Sequence, residues 1–195
     1  NRIQKERIIK IEKNKSSVMY EFDYTTSNDP PMQYGNILEL QEYDDYIYFL
    51  KKEVGHIDIY RISTDGKTQQ IEKLEEIPCS FFLNDAAYDV STETVVVTTR
   101  LGEVYRYNPE TDEWLEISAF SKEQIPWRIA SVNGEVYYTD LQAGGIVHFS
   151  LSEPEQAELV YQNDSSLYSL SISPDGKIIT VTDNTKLMYL DSTDY

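Results

Sequence analysis

The sequence predicts an all-β protein, because one pattern of alternating strands and tight turns is repeated four times along it. The third strand of each repeat is the easiest to recognise, since a Tyr or His alternates there with aliphatic residues. These ring positions are Tyr60, Tyr105, His148 and Tyr189, and they recur about every 41 to 45 residues, a period typical of the four-stranded blade of a β-propeller. The 16 Tyr residues against 6 Phe favour the same class, since tyrosine suits strands with one wet edge. A β-sandwich is the alternative fold, but it offers no reason for this period.

Turn-forming residues divide the chain into blades. The strongest hairpin signal is Asn133-Gly134, which lies between two alternating runs. Asp44-Asp45 predicts a second tight turn, and the continuous apolar run Val95–Val97 predicts an inner strand that is buried on both faces. The predicted blades are approximately 37–74, 86–118, 128–162 and 167–195, preceded by a partial blade at 7–24.

The two ends of the pattern leave the number of blades open. The first segment predicts two strands, and the last blade predicts three. One interpretation is a small propeller of four blades, in which an N-terminal strand completes the last blade. The other is an open fragment of a larger propeller, whose exposed sheet edges would favour self-association.

The charge of the chain restricts its partners. There are 34 acidic residues against 17 Lys and Arg, a formal net charge of −17. Nucleic acid and anionic membrane surfaces require a cationic patch, so we expect neither as a partner. The charge indicates good solubility, and the alternative is a docking surface for a cationic partner or for calcium.

The compartment is predicted from weak signals. Cys79 is the single cysteine, and its neighbours Pro78 and Phe81 favour a small buried hydrophobic role over a reactive thiol. No apolar run has the length of a membrane-spanning helix, no signal peptide is recognisable, and the chain begins with Asn1. We expect the extracytoplasmic or secreted part of a larger bacterial protein, attached to a membrane only through segments outside this chain. The cytoplasm is the alternative.

The phrase from Ser171 to Lys177, Ser-Ile-Ser-Pro-Asp-Gly-Lys, is followed by an apolar strand. It resembles the repeats of NHL-type, TolB-type and lactonase-type propellers. These families share the architecture but no single function. The lactonase-type resemblance implies calcium held by Glu, Asn and Asp at the mouth of the central channel, and Asn36, Asn84 and Asp85 are the residues near that level here.

A propeller brings its inter-blade loops, together with the loops that join second to third strands, to one face around the channel. That rule predicts a single binding face from residues far apart in sequence. Its members are aromatic or positively charged, with one Asn: Phe81, Phe82, Asn84, Arg100, Trp127, Arg128 and Tyr168. Exposed aromatic residues beside Arg are typical of binding hot spots. The alternative is structural: the aromatic rings wedge between blades, and the two Arg residues pair with Asp85 or Asp140.

The sequence has no Ser, His and Asp in an order typical of a catalytic triad, and it has no phosphate-binding Gly loop. His148 replaces the repeated Tyr, which indicates a structural role. The sequence therefore favours a non-catalytic module for binding or sensing, with no cofactor, whose partner is a protein or a small anionic ligand. The alternatives are a calcium-dependent lactonase-like hydrolase and a constitutive scaffold for protein–protein interaction.

Overall fold

The computed structural model describes residues 2–13, 15–26, 37–64, 71–117, 124–163, 166–173, 178–182 and 186–191. Every regular element in these ranges is a β-strand, which confirms the predicted all-β class. None of the described residues belongs to a helix long and apolar enough to cross a membrane. The chain divides into two compact units, Asn1–Cys79 and Ser80–Tyr195.

The first unit contains a hairpin and one four-stranded antiparallel sheet. The hairpin consists of β1 (Arg2–Glu12) and β2 (Lys15–Thr26), and the sheet, here the first blade, of β3 (Ile37–Tyr43), β4 (Tyr46–Glu53), β5 (His56–Ser63) and β6 (Ile71–Pro78), paired in chain order. Ile8 from the hairpin packs with Phe49 and Ile62 of the sheet. All three are nearly inaccessible to water, so this cluster is the core of the unit.

The second unit contains three sheets, which are the second, third and fourth blades. The second blade has β7 (Leu83–Asp89), β8 (Thr94–Thr99), β9 (Val104–Asn108) and β10 (Glu113–Glu116); the third has β11 (Pro126–Val132), β12 (Glu135–Asp140), β13 (Gly145–Ser150) and β14 (Glu153–Gln162); the fourth has β15 (Leu167–Ile172), β16 (Ile178–Thr182) and β17 (Lys186–Leu190). Each is antiparallel, with consecutive strands as neighbours.

Two clusters of apolar side chains fill the spaces between these blades. Val96 of the second blade packs in one cluster with Tyr138 and Phe149 of the third. Ile146 of the third blade packs in the other with Leu167 of the fourth. The run Val95–Val97 is fully buried, which confirms the expectation of a strand covered on both faces.

Tight turns join the first two strands of the first and third blades, as predicted. Asp44 and Asp45 have φ of 48° and 65°, and Asn133 and Gly134 have φ of 54° and 83°. Positive φ at both central residues defines a type I′ turn, whose twist matches that of the flanking strands. Residues 174–177, the second part of the repeat phrase, lie outside the described residues.

Several boundaries differ from the sequence prediction. The first hairpin begins at Arg2 and ends at Thr26, outside the predicted 7–24, and the third blade begins at Pro126. The first blade is predicted to end at residue 74 but continues to Pro78, because β5 extends its pairing until His56 is opposite Pro78. The inner strand of the second blade was predicted from Ala86 but begins at Leu83, which is buried and pairs with Thr99. The predicted loop 75–85 is therefore mostly strand, and only residues 79–82 connect the two blades.

The repeated ring position lies on the third strand of every blade, as predicted. Tyr60 stacks on Phe49 with centroids 5.4 Å apart, Tyr105 stacks on Phe81 at 4.3 Å, and His148 is tilted against Tyr137 at 4.6 Å. Tyr189, on β17, is exposed. The repeat thus supplies an aromatic contact within three of the four blades.

Candidate binding face

Each inner strand of the second unit begins with a β-bulge. The pairing register shifts between Leu83 and Asp85 on β7, between Pro126 and Ile129 on β11, and between Leu167 and Ser169 on β15. A bulge inserts an unpaired residue and redirects the side chains around it. The residues set in these bulges are Asn84, Trp127, Arg128 and Tyr168, four members of the predicted face.

The three bulges lie at one end of the unit. The strand β11 lies next to both β7 and β15, and hydrogen bonds from Asn84 to Pro126 and from Arg128 to Tyr168 show that all three strands begin at this end. Because the blades are antiparallel, the second strand of each blade ends here too. We call this end the bulge face; besides the four bulge residues, it includes Phe82, Arg100, Leu101 and Ile125.

Asn84 connects the second blade to the third. Its Nδ2 group donates to the carbonyl oxygen of Thr99 at 2.9 Å and to that of Pro126 at 3.1 Å. Nearby, the hydroxyl of Thr98 donates to the carbonyl oxygen of Trp127 at 3.2 Å. Both hydrogens of the Asn84 amide are therefore used in holding the bulges together, which makes Asn84 a positioning residue.

Asp85 is a buried carboxyl group directly beneath the face. It is 6% exposed, and its Oδ2 accepts a hydrogen bond of 3.2 Å from the backbone N–H of Ile129. Burial raises its pKa from 3.8 to about 7, although Arg128 and the backbone N–H groups of Ile129 and Ala86 oppose that shift. The group therefore titrates near neutral pH.

Arg128 is held by three neighbours. Its Nη1 lies 3.9 Å from Oδ2 of Asp85, and its Nε donates to the carbonyl oxygen of Tyr168 at 3.2 Å. Its guanidinium carbon lies 5.8 Å from the centroid of the Trp127 ring. The structural alternative that paired an Arg with Asp85 is therefore confirmed for Arg128.

The outer part of the bulge face is apolar and exposed. Phe82 is 75% exposed, Leu101 80%, Tyr168 45% and Ile125 42%. The backbone N–H of Arg100 donates to the carbonyl oxygen of Phe82 at 2.8 Å, which fixes these two residues side by side. No ion pair joins Arg100 to another described residue.

A glycine brings the turn after β8 against the third blade. Gly102 has a φ of +83°, and a Cβ there would lie 3.1 Å from the carbonyl oxygen of Gln124. Leu101 precedes Gly102 in this turn and Ile125 follows Gln124, so both residues belong to the bulge face. Sequence reasoning overlooked both residues because it considered aromatic and charged side chains; an apolar residue in a two-residue loop is the signal that identifies Leu101.

One predicted member lies elsewhere. Phe81 stacks on Tyr105 and meets Trp114 edge-on at 5.6 Å, so its ring covers the surface of its own blade. The physical reason is Tyr105, at the repeated ring position, whose flat ring is a stacking partner for Phe81. The next residue, Phe82, is exposed instead. The remaining six members lie on the bulge face, where Arg100 bonds to Phe82 and Arg128 contacts both Trp127 and Tyr168; that they form a binding site stays a prediction.

The residues considered for calcium are otherwise engaged. Asn84 directs its NH2 group to two carbonyl oxygens, and Asp85 accepts a backbone N–H. Asn36 lies outside the described residues. A calcium ion needs six to eight oxygen ligands. Of the residues considered for it, only Asn84 and Asp85 are among those the structure describes.

The fold is a β-propeller built of four-stranded antiparallel blades. One similar solved structure is a chain in a nidogen/laminin complex. The similarity covers 93% of the present chain and 68% of that chain, with 14% identity and a TM-score of 0.59. A second is YCF48 bound to D1 peptide, where the similarity covers 87% of the present chain and 53% of the YCF48 chain, with 12% identity and a TM-score of 0.52. No protein-family model and no curated protein matches the chain. At these identities the likeness shows the fold alone.

Proposed function

We propose that this chain is a non-catalytic module that binds an extended segment of a partner protein across the bulge face. The observation that carries the proposal is the group of exposed apolar side chains at this end of the blades: Phe82, Leu101, Ile125 and Tyr168. Apolar residues that are exposed together mark interaction sites more often than single ones do. Binding buries their surface and supplies the favourable free energy.

The charges predict the composition of the segment. Arg100 is exposed on the turn beside Phe82, in a chain whose net charge is −17. A carboxylate of the partner would form charge-assisted hydrogen bonds with its guanidinium. We therefore expect a segment that combines apolar or aromatic side chains with one acidic residue.

The bulges supply a rigid platform for such a segment. Hydrogen bonds donated by Asn84 and Thr98, and one that Asp85 accepts from Ile129, hold the second and third blades together at this end. A face fixed before binding loses little conformational entropy when it binds. Both structural neighbours were solved in complexes, one with laminin and the other with a peptide, which supports the use of this fold for binding proteins. An extracytoplasmic location and a sensing role stay predictions from the sequence.

The proposal is tested by selecting binders from a displayed library of random peptides, with the purified chain as bait. Three variants on the face, Phe82→Ser, Arg100→Ser and Tyr168→Ser, are compared with Leu115→Ser. Leu115 is a matched control, since it is a partly exposed apolar residue on the outer strand of the second blade. We expect each face variant to weaken a selected peptide by about tenfold or more and the control to leave its affinity unchanged.

Two outcomes contradict the proposal. One is a selected peptide whose affinity is insensitive to all three face variants. The other is a chain that selects no peptide but is stabilised against heat by free carboxylates or phosphate esters, which would indicate the small anionic ligand instead. In that case Trp127→Ala and Arg128→Ala show whether the ligand uses the bulge face.

A further inference from the structure

A group of possible metal ligands lies on the first blade, in the unit Asn1–Cys79. His56 and Asp58 are two residues apart on β5, so their side chains point to the same face of the sheet. Glu76 stands directly opposite Asp58 on β6, which brings a second carboxylate to that face. One ligand atom from each of the three residues lies within 4.8 Å of the other two.

The distances suit a small divalent metal. Nε2 of His56 lies 3.4 Å from Oδ1 of Asp58 and 4.0 Å from Oε2 of Glu76. Two ligands of a tetrahedral zinc ion, each bonded at about 2.0 to 2.2 Å, are about 3.4 Å apart. The first pair already has this separation. The second needs the exposed carboxylate of Glu76 to move by less than about 1 Å.

The ammonium group of Lys73 lies between the carboxylates of Asp58 and Glu76, where a metal ion would bind. Nζ of Lys73 lies 2.8 Å from Oδ1 of Asp58 and 2.6 Å from Oε2 of Glu76. Asp58 is 4% exposed, and a buried carboxylate requires a cation or hydrogen bonds to offset its lost hydration.

We infer that His56, Asp58 and Glu76 form a zinc site in which the metal replaces the ammonium group of Lys73. The side chain of Lys73 is 39% exposed, so it can turn into solvent when the metal enters. One imidazole nitrogen with two carboxylate oxygens suits zinc. Calcium and magnesium require more ligands, all of them oxygen. Three protein ligands leave the fourth zinc position for water or for a group from a partner.

The metal would connect β5 to β6. The two strands are already paired by backbone hydrogen bonds, and a shared ion adds a link between their side chains. An ion that binds the folded chain and not the unfolded one raises stability in proportion to its occupancy. The site is independent of the bulge face, which belongs to the other compact unit.

Calorimetric titration of the full chain with zinc chloride tests the site. We expect one saturable event per chain, and cobalt in place of zinc should give the visible absorption of a tetrahedral ion. His56→Gln and Glu76→Gln should each weaken binding by about tenfold or more, because each substitution removes one of the three protein ligands of the ion. Lys73→Gln should strengthen it, since the competing ammonium group is removed.

His148→Gln is the matched control. His148 is the other histidine of the chain, and it also lies beside two acidic residues, with Nε2 2.7 Å from Glu135 and Nδ1 3.8 Å from Glu158. This substitution should leave the zinc affinity unchanged. The inference is overturned if zinc binds the wild type and His56→Gln equally, if His148→Gln abolishes binding, or if neither the wild type nor Lys73→Gln shows saturable binding. Circular dichroism of each variant identifies a loss of folding.

Discussion

The carboxylate of Asp89 accepts a hydrogen bond of 2.6 Å from the backbone N–H of Gly134. Asp89 ends the inner strand of the second blade, and Gly134 lies in the hairpin turn of the third, so this bond joins neighbouring blades. The same oxygen accepts the hydroxyl of Ser131 at 3.0 Å. The other oxygen accepts the N–H groups of Ser91 and Thr92. A single fully buried side chain thus holds one turn of its own blade and one of the next.

We expect Asp89→Ala to lower the free energy of unfolding of the second unit by about 3 kcal/mol. The substitution leaves the N–H of Gly134 without its acceptor, and it leaves the buried hydroxyl of Ser131 with only the carbonyl oxygen of Glu135. Urea unfolding followed by tryptophan fluorescence measures the loss, since both Trp residues belong to this unit. Glu110→Ala is the control, because that side chain is exposed; the role assigned to Asp89 fails if the two variants differ by less than about 1 kcal/mol.

Asp85 predicts a pH dependence of stability with a definite sign. Its pKa is raised in the folded chain to about 7, from 3.8, so the folded state binds the proton more tightly. The stabilisation by the neutral carboxyl is complete below about pH 4 and is lost as the pH rises through about 7. The slope between these values is on the order of 1 kcal/mol per pH unit.

Asp85→Asn is uncharged at every pH and isolates this contribution. The difference in unfolding free energy, variant minus wild type, should rise from about pH 4 to about pH 7 and then level off. Urea unfolding at several pH values within and above this range measures it. A difference that is constant, or that falls as the pH rises, would contradict the raised pKa of Asp85.

Two glycines are required for different reasons. A Cβ at Gly145 would lie 2.5 Å from the carbonyl oxygen of Tyr161 and 2.6 Å from Cδ1 of Leu159, whereas at Gly55 it would meet nothing within 4 Å. Gly55 has a φ of +86°, so its cost is conformational. We expect Gly145→Ala to destabilise by about 2 to 3 kcal/mol and Gly55→Ala by about 1 kcal/mol. Thermal or urea unfolding measures both, and the reverse order would contradict the steric argument.

Calcium distinguishes the binding module from the lactonase-like alternative. We expect millimolar calcium to leave the melting temperature unchanged, because Asp85 is buried and accepts the N–H of Ile129, and the oxygen of Asn84 alone does not supply the six to eight ligands that calcium needs. A ligand that binds the folded state must raise that temperature. A clear rise in the wild type that Asp85→Asn abolishes would support the hydrolase and contradict this prediction.

The sequence by itself determined the strands, the turns and their repetition. The alternation around Tyr60, the Asn133-Gly134 dipeptide and the apolar run Val95–Val97 act over a few residues, and the structure has each as predicted. These are short-range preferences of backbone twist and of side chains that alternate between two faces. They hold in any surroundings, which is why periodicity was sufficient to predict the blade.

The tertiary structure alone decided which residues of the predicted face meet and what they do there. The hydrogen bond from Asn84 to Pro126, the bond that Asp85 accepts from Ile129 and the bond from Arg128 to Tyr168 all join different blades. His56 and Glu76 come together within the first blade, through the register of β5 with β6. Contacts between residues about 20 to 45 positions apart follow from packing and register, and local sequence patterns contain no information on how a neighbouring blade will satisfy or bury a polar group.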